Sequence, residues 1–468
     1  MEKSEFKQLK EQLLTRRKNG YDRTSDADRA AMEAYCADYK AFLDAGKTER
    51  LCAAEVIRLA EAAGYRPYER GQALAPGDKV YRCNRGKAVL LAHIGKAPLE
   101  KGAQIAAAHI DSPRLDLKPN PLYEDGELAY FKTHYYGGIR KYHWVTIPME
   151  LHGVVALADG TSVPVHIGAE PGEPKLVITD LLPHLGMEQN TKPLGEAVPA
   201  ETLNLLLGSC PIGDSEESGR VKLAVMKLLH EKYGITEDDF TSAELEAVPA
   251  VGACDIGLDR SMIGAYGHDD RVCGYAALRA LLDLAETPER TAVCVLADKE
   301  EIGSDGVTGM QSAAFDTFME DLCDAQGAAL RACFEGSFCL SADVTAAFDP
   351  NYADVFEKRN AAYLNYGIGL CKYTGARGKS GASDADAETV AYVRGLFDRS
   401  GVIWQIAELG KVDAGGGGTV AMYMANRNIT TLDAGVPVLS MHAPFEVVSK
   451  LDCYETYKGM AAVYRAER

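Results

Sequence analysis

Four short apolar runs in this 468-residue chain each lead into a histidine or a carboxylate. Ile105 to Ala108 leads into His109-Ile110-Asp111, Val293 to Ala297 into Glu300-Glu301, Phe338 to Ala342 into Asp343, and Val436 to Met441 into His442. Runs this short and apolar suit strands buried on both faces. In open α/β sheets, binding sites form beyond the carboxyl ends of the strands, where the loops converge. The pattern therefore predicts a layered α/β fold with a polar site at one sheet edge. Asp269-Asp270, in Gly267-His268-Asp269-Asp270-Arg271 just before a helical pattern at Val272, is a fifth candidate. The dipeptide Glu300-Glu301 says most about chemistry. Two adjacent carboxylates at the end of a buried strand are costly unless a cation holds one of them. One can then ligate a metal while its neighbour takes a proton from the attacking water.

Each residue also has a purely structural reading. His109 suits a satisfied core histidine, Asp111 a turn cap before Ser112-Pro113, and Asp269 or Asp270 a helix N-cap. Asp343 suits a loop cap, and His442 a backbone hydrogen bond. Five such coincidences at one sheet edge are better explained by a shared site. The set holds two imidazoles and several carboxylates but no cysteine. That suits zinc, cobalt or manganese in a catalytic centre, not a sulfur-rich structural zinc site. A single catalytic zinc keeps three protein ligands, so two ions about 3.5–4 Å apart with one shared carboxylate use the set economically. Asp111 stands two residues after His109, so both share a face of an extended chain. Its carboxylate can accept from the other ring nitrogen and fix the tautomer.

Length allows a large core and about two domains, at roughly 100–200 residues each. The net charge of -18, from 68 acidic and 50 basic residues, argues against a nucleic-acid-binding surface. The opening Met1-Glu2-Lys3-Ser4-Glu5-Phe6-Lys7 has no apolar signal core, and no run reaches the ~18 residues of a membrane span. Twelve cysteines without C-x-x-C pairing read as free thiols in a reducing cytoplasm rather than a disulfide framework.

Along the chain, Asp26 to Ala45 and Arg50 to Ala63 read as amphipathic helices. Tyr81 to Cys83 and Ala88 to His93 read as paired strands around Asn84-Arg85-Gly86-Lys87, and Gln104 to Ile110 as a buried strand. After Pro119-Asn120-Pro121 the chain turns to short β-rich segments, interrupted by a polar stretch from Lys192 to Gly219. Helical periodicity returns at Val272, and strands and helices then alternate to the end. The expected architecture is a mixed β-sheet flanked by helices, built from residues 1–118 and 255–468, with a mostly-β domain at 119–254 inserted into it. No internal repeat or low-complexity tail is visible.

Taken in order, Ala108-His109-Ile110-Asp111-Ser112-Pro113-Arg114, Gly267-His268-Asp269-Asp270-Arg271, Glu300-Glu301-Ile302-Gly303-Ser304, Ser341-Ala342-Asp343-Val344 and Met441-His442-Ala443-Pro444 resemble the aspartyl aminopeptidase / aminopeptidase I family of dinuclear zinc metallopeptidases. Asp349-Pro350-Asn351-Tyr352 and the Gly369-Leu370-Cys371-Lys372 strand join the match, which spans nearly the whole chain. The resemblance implies a zinc-exopeptidase-like sheet and an aminopeptidase acting on peptides. It implies one metal on His109, Asp269 and Asp343, a second on Asp269, Glu301 and His442, and Glu300 as general base. Asp270 would shape the backbone of the bridging ligand. The inserted domain is similar to the family's dimerisation domain, which donates a histidine to a neighbouring active site and helps build dodecamers. Leu182-Pro183-His184-Leu185-Gly186 resembles the donating segment, although a second histidine of some relatives is Glu188 here. Lys372 falls where relatives place a lysine near the substrate pocket. Asp413-Ala414-Gly415-Gly416-Gly417-Gly418-Thr419 departs from the loop of acidic-selective members and is closer to bacterial relatives and glutamyl aminopeptidase-type enzymes. Those glycines either let backbone approach a ligand or serve as a connector. The rival readings are a metal-dependent deacylase on the same type of sheet and a non-catalytic assembly subunit.

Overall fold

A computed structural model describes residues 3–15 and 17–467, so Met1 and Glu2 of the polar opening segment lie outside the described residues. A nine-stranded sheet runs in the order Arg66–Pro67, Lys79–Asn84, Ala88–His93, Ala292–Ala297, Gln104–His109, Phe338–Ser341, Thr430–Gly435, Ile368–Cys371 and Trp404–Ile406. Its four strands Ala292–Ala297, Gln104–His109, Phe338–Ser341 and Thr430–Gly435 are mutually parallel, so their carboxyl ends share one edge. The first three are buried at every residue, which is why they read as continuous apolar runs.

Strand alternation sorts these side chains between two cores. Ala106, Ala108, Cys294, Leu296 and Leu340 face a layer that includes the helices Asp26–Ala45, Glu49–Ala62, His268–Leu282 and Lys450–Tyr464. Ile105, Ala107, Val293, Val295 and Cys339 face the helices Ala314–Asp324 and Leu330–Gly336. Full burial of each Leu, Val or Phe here contributes about 1.5–3 kcal/mol. Local signals set the helix starts. Ser25 and Asp28 form a capping box before Asp26–Ala45, and the Thr48 hydroxyl accepts from Leu51 N ahead of Glu49–Ala62.

A second sheet of seven strands lies between residues 114 and 249, and pairing of Ala243–Pro249 with both Arg114–Asp125 and Pro148–Ala156 curls it round its own core. Two sequence expectations differ from the structure here. Pro119-Asn120-Pro121 lies inside the strand Arg114–Asp125, at a register shift between Leu117 and Leu122, because proline is tolerated where ladder pairing is broken. The segment also carries a helix, Arg220–Tyr233, which its β-rich composition did not announce.

A third sheet of five strands, Cys254–Ile256, Met262–Ala265, Glu446–Ser449, Pro437–Leu439 and Thr345–Ala346, includes the short strand before His442. The five candidate ligands therefore do not share one sheet edge. Three strand ends of the nine-stranded sheet, one of the five-stranded sheet and a helix entry converge instead. Among the described residues, no helix is long and apolar enough to cross a membrane.

Candidate metal centre

His109 closes its strand and is almost wholly buried. The strand Ala292–Ala297 is broken at Lys299, whose left-handed φ of 69° starts the turn Glu300–Ile302, and Gly303 at φ 94° ends it. Both carboxylates are thus thrown off the strand end toward His109. Gly267 takes a left-handed φ of 75°, and Asp269 remains extended at φ -79°, ψ 107° within the first turn of the following helix. Asp269 and Asp270 do not cap that helix with their side chains. Asp343 follows the strand Phe338–Ser341. The strand beside it can pass only because residue 435 is glycine, since a Cβ there would fall 1.8 Å from Asp343 O.

These elements bring six residues together. Asp269 lies between the imidazoles, with Oδ1 3.3 Å from His109 Nε2 and Oδ2 3.1 Å from His442 Nε2. Glu301 Oε2 is 3.6 Å from His442 Nε2, and Asp343 Oδ1 and Glu300 Oε2 are each 3.9 Å from His109 Nε2. Donor atoms of His109, Glu300 and Asp343 lie within 4.8 Å of one another, as do those of His109, Asp269 and Glu301.

Hydrogen bonds fix both ring tautomers. His109 Nδ1 donates to Asp111 O at 3.0 Å, with Asp111 Oδ1 at 3.3 Å, so the carbonyl makes the shorter contact. His442 Nδ1 donates to Gly138 O at 2.9 Å. A carbonyl can only accept, so Nδ1 carries a proton in each ring, and Nε2, which faces the cluster, is the nitrogen left to bind a metal once its own proton is displaced. The carboxylate of Asp111 does further work. Its Oδ1 accepts from Glu300 N and its Oδ2 from Glu301 N, both at 3.2 Å, and Tyr136 donates to Oδ2 at 2.8 Å.

The electrostatics mark a cation site. Burial pushes Glu300 up to about 7, aided by Asp111 and Asp269 and opposed by His109. Burial, then Asp269, raises Glu301 well above the carboxylate range, and burial, then Asp270, does the same to Asp343. Asp269 moves the other way, because the two imidazoles outweigh its burial. His109 Nε2 and Glu301 Oε1 are buried without a hydrogen-bond partner. Two imidazole Nε2 atoms, several hard oxygens and orphaned ligand atoms among them fit a zinc-type divalent ion, which would take the place of the Nε2 protons.

Three supporting residues escaped the sequence reading. Glu446 accepts from Asp269 N at 3.0 Å and from His442 N at 2.7 Å, holding His442 at its left-handed φ of 63°. A carboxylate inside the apolar run Phe445-Glu446-Val447-Val448 was the available signal, since such a group needs partners. Tyr136 and Gly138 gave none, because a tyrosine and a glycine at a strand end are ordinary. Two predicted residues are not brought in. His184 stands on an exposed loop of the 114–249 region. Lys372 pairs with Asp384 at 3.1 Å and does not line the cavity.

That cavity, of about 740 Å³, opens beside the cluster. Glu300, Asp343 and His442 line one wall, and Tyr373 to Gly375, Glu408 to Lys411 and Gly415 to Thr419 line the other. Gly415 and Gly416 are forced by packing, since a Cβ would meet Leu409 O at 1.8 Å or Gly375 O at 2.2 Å, whereas Gly417 and Gly418 have nothing within 4 Å.

Such a cluster, gathered where strand ends of two sheets and a helix entry meet beside a cavity, has the make-up of a metal-dependent hydrolase. The sequence profile of aminopeptidase I zinc metalloproteases (M18) matches residues 42–464, and the chain belongs to that family. It is 49% identical over 458 residues to a probable M18 family aminopeptidase 1 of Clostridium acetobutylicum, covering 96% of this chain and 98% of the relative. The solved structure of an M18 aminopeptidase from Thermotoga maritima superposes with a TM-score of 0.92 at 46% identity, over 96% of this chain and 99% of that one. Aminopeptidase I from Clostridium acetobutylicum gives 0.91 at 48% identity, over 97% and 100%. The S. cerevisiae mApe1 dodecamer shares the fold alone, with a TM-score of 0.76 at 20% identity over 94% and 98%. The protein is therefore a zinc metallo-aminopeptidase, a hydrolase acting as an exopeptidase, and the deacylase and non-catalytic readings are not favoured.

Proposed function

We propose that the cluster holds two divalent ions and that the first peptide bond of a peptide is hydrolysed beside them. His109, Asp269 and Asp343 would hold one ion, and Asp269, Glu301 and His442 the other. The observation that carries this reading is Asp269, whose two oxygens each face one imidazole Nε2, as a shared ligand must. Zinc suits the donors, with cobalt and manganese as chemically compatible replacements. Bound there, such ions supply Lewis acidity to a peptide carbonyl and to the attacking water.

The remaining work belongs to the protein's own groups. Glu301 has a side chain 4% exposed and Glu300 one 18% exposed, so the deeper carboxylate suits a ligand and the more open one a base. Glu300 takes a proton from the attacking water and returns it to the leaving amine. Asp111 holds the His109 ring and the backbone of both glutamates. The cavity beside them receives the N-terminal side chain.

Residues 119–254 are proposed to act as a dimerisation domain within a larger homo-oligomer, by likeness to the mApe1 dodecamer. Support comes from Leu181, Leu182, Leu185 and Met187, all at least 50% exposed on one loop, an apolar surface that a partner subunit would cover. His184 lies among them and would reach the neighbouring subunit's cavity. Location in a reducing cytoplasm is supported by all twelve cysteines being free thiols.

Two measurements test the core of this reading. Zinc analysis of the purified protein should give two ions per chain, and a plateau at one would overturn the two-ion centre. Glu300→Gln should slow hydrolysis of aminoacyl anilides by about 10²–10⁴-fold with zinc retained. A variant that kept most of its activity would refute Glu300 as the base.

A further inference from the structure

The strand Leu128–Tyr136 of the seven-stranded sheet ends directly against the metal centre, and three consecutive residues there touch three different parts of it. Tyr136 donates its hydroxyl to Asp111 Oδ2 at 2.8 Å. Gly137 adopts a left-handed φ of 76°, and a Cβ on it would lie 3.3 Å from both Cβ and Oε2 of Glu301. Gly138 presents its carbonyl to His442 Nδ1 at 2.9 Å. One short segment therefore supports Asp111, flanks Glu301 and fixes the His442 tautomer.

Tyr136 is itself held from behind. The Arg114 guanidinium lies 3.9 Å over its ring, and Arg114 is tied to Glu49 at 3.3 Å, Asp116 at 2.8 Å and Glu246 at 3.2 Å. Glu49 opens the helix Glu49–Ala62, whereas Glu246 belongs to the seven-stranded sheet. The ring is thus clamped between elements of two layers, and the hydroxyl has little freedom to leave Asp111. Burial, with the Asp111 carboxylate beside it, pushes the phenol pKa far up, so the hydroxyl stays a donor.

We propose that Tyr136 is a positioning residue of the metal centre, acting through Asp111, and that the inserted sheet is in this way part of the catalytic centre of its own chain. Asp111 has two oxygens and four nearby donors: the His109 ring, Glu300 N, Glu301 N and the Tyr136 hydroxyl. Without the hydroxyl, the carboxylate can rotate and release its hold on the two glutamate amides and on the His109 ring. Partners one step behind metal ligands commonly change metal affinity or activity by about 10–100-fold when removed.

The proposal rests on the metal-centre reading, and its test separates the two. The variant Tyr136→Phe keeps the ring and its contact with Arg114 and deletes only the hydroxyl. Wild-type and variant proteins, loaded with zinc, are challenged with a competing chelator, and the metal-free forms are melted in parallel. The expected result is zinc affinity lowered about 10-fold or more, with the Tm of the metal-free form unchanged. At saturating zinc, kcat should fall while KM stays within about twofold, because Tyr136 does not line the cavity. Zinc affinity within about twofold of wild type would overturn the proposal, as would a loss matched by a lower metal-free Tm, which would assign Tyr136 to the fold. A wild-type protein that bound no zinc would instead defeat the metal-centre reading itself.

Discussion

The two walls of the cavity are built on opposite plans. On the ligand wall both imidazoles and the backbone carrying the carboxylates have fixed partners: His109 has Asp111, His442 has Gly138 O, Asp111 accepts from the amides of Glu300 and Glu301, and Glu446 holds the amides of Asp269 and His442. The facing wall, from Tyr373 to Lys379 and from Leu409 to Gly418, is largely backbone on backbone. Gly375 N donates to Gly417 O at 2.5 Å, and Gly415 N to Lys411 O at 2.8 Å. Its few side-chain bonds include Tyr373 to Glu408 at 3.0 Å and Thr419 to Asp433 at 2.8 Å. The contrast follows from what each wall must do. Several carboxylates gathered near one cation must be held within fractions of an ångström to be useful. A wall proposed to receive the substrate's N-terminal side chain gains from committing few groups of its own.

Substitutions can break or sharpen that contrast. The largest effect is expected from Asp269→Asn, which weakens the one group facing both imidazoles. Activity should be lost entirely and zinc content should fall by at least one ion per chain, read by metal analysis. Retention of both ions would show that the carboxylate charge is dispensable. Next comes Gly435→Ala on the same wall. Its Cβ would collide with Asp343 O at 1.8 Å, so a destabilisation of about 1–3 kcal/mol is expected. Thermal melting checks it, and an unchanged Tm would mean that the ligand wall is looser than its packing implies.

On the facing wall the effects should be smaller and fall on KM. Gly416→Ala puts a Cβ 2.2 Å from Gly375 O at φ 128°, parting the two loops, and KM should rise about threefold or more with zinc unchanged. Gly418→Ala is the mildest, since nothing lies within 4 Å of its Cβ. It should leave Tm unchanged and shift KM only for bulky N-terminal residues, in a panel of aminoacyl anilides. If Gly416→Ala and Gly418→Ala behaved alike, the division of that loop into a packed half and an open half would fail.

The parts of this molecule that were legible in sequence are those where a local pattern carries the physics. Gln104–His109 and Ala292–Ala297 are apolar throughout because both faces are buried, and the polar residues beyond them had nowhere inexpensive to go but a shared site. Asp26–Ala45 was readable to the residue from its apolar stripe, and the structure adds a capping box at Ser25 and Asp28. Glu446 was detectable in principle as a charge in an apolar strand. Lys372 illustrates the converse: a residue in the expected place by likeness pairs with Asp384 outside the cavity lining.

Sequence by itself determined the layered α/β core and named His109, Asp269, Glu301, Asp343 and His442 as candidate ligands with Glu300 as the candidate base. It could do so because burial and chemical type are properties of a few adjacent residues. Only the tertiary structure decided that His442 arrives from a different sheet, that the Tyr136 hydroxyl reaches Asp111 across 25 residues, and that Gly138 O fixes His442 across 304. Those supports are backbone groups and common side chains whose roles exist only once distant segments meet. A pattern of residue types cannot record which carbonyl an imidazole will find.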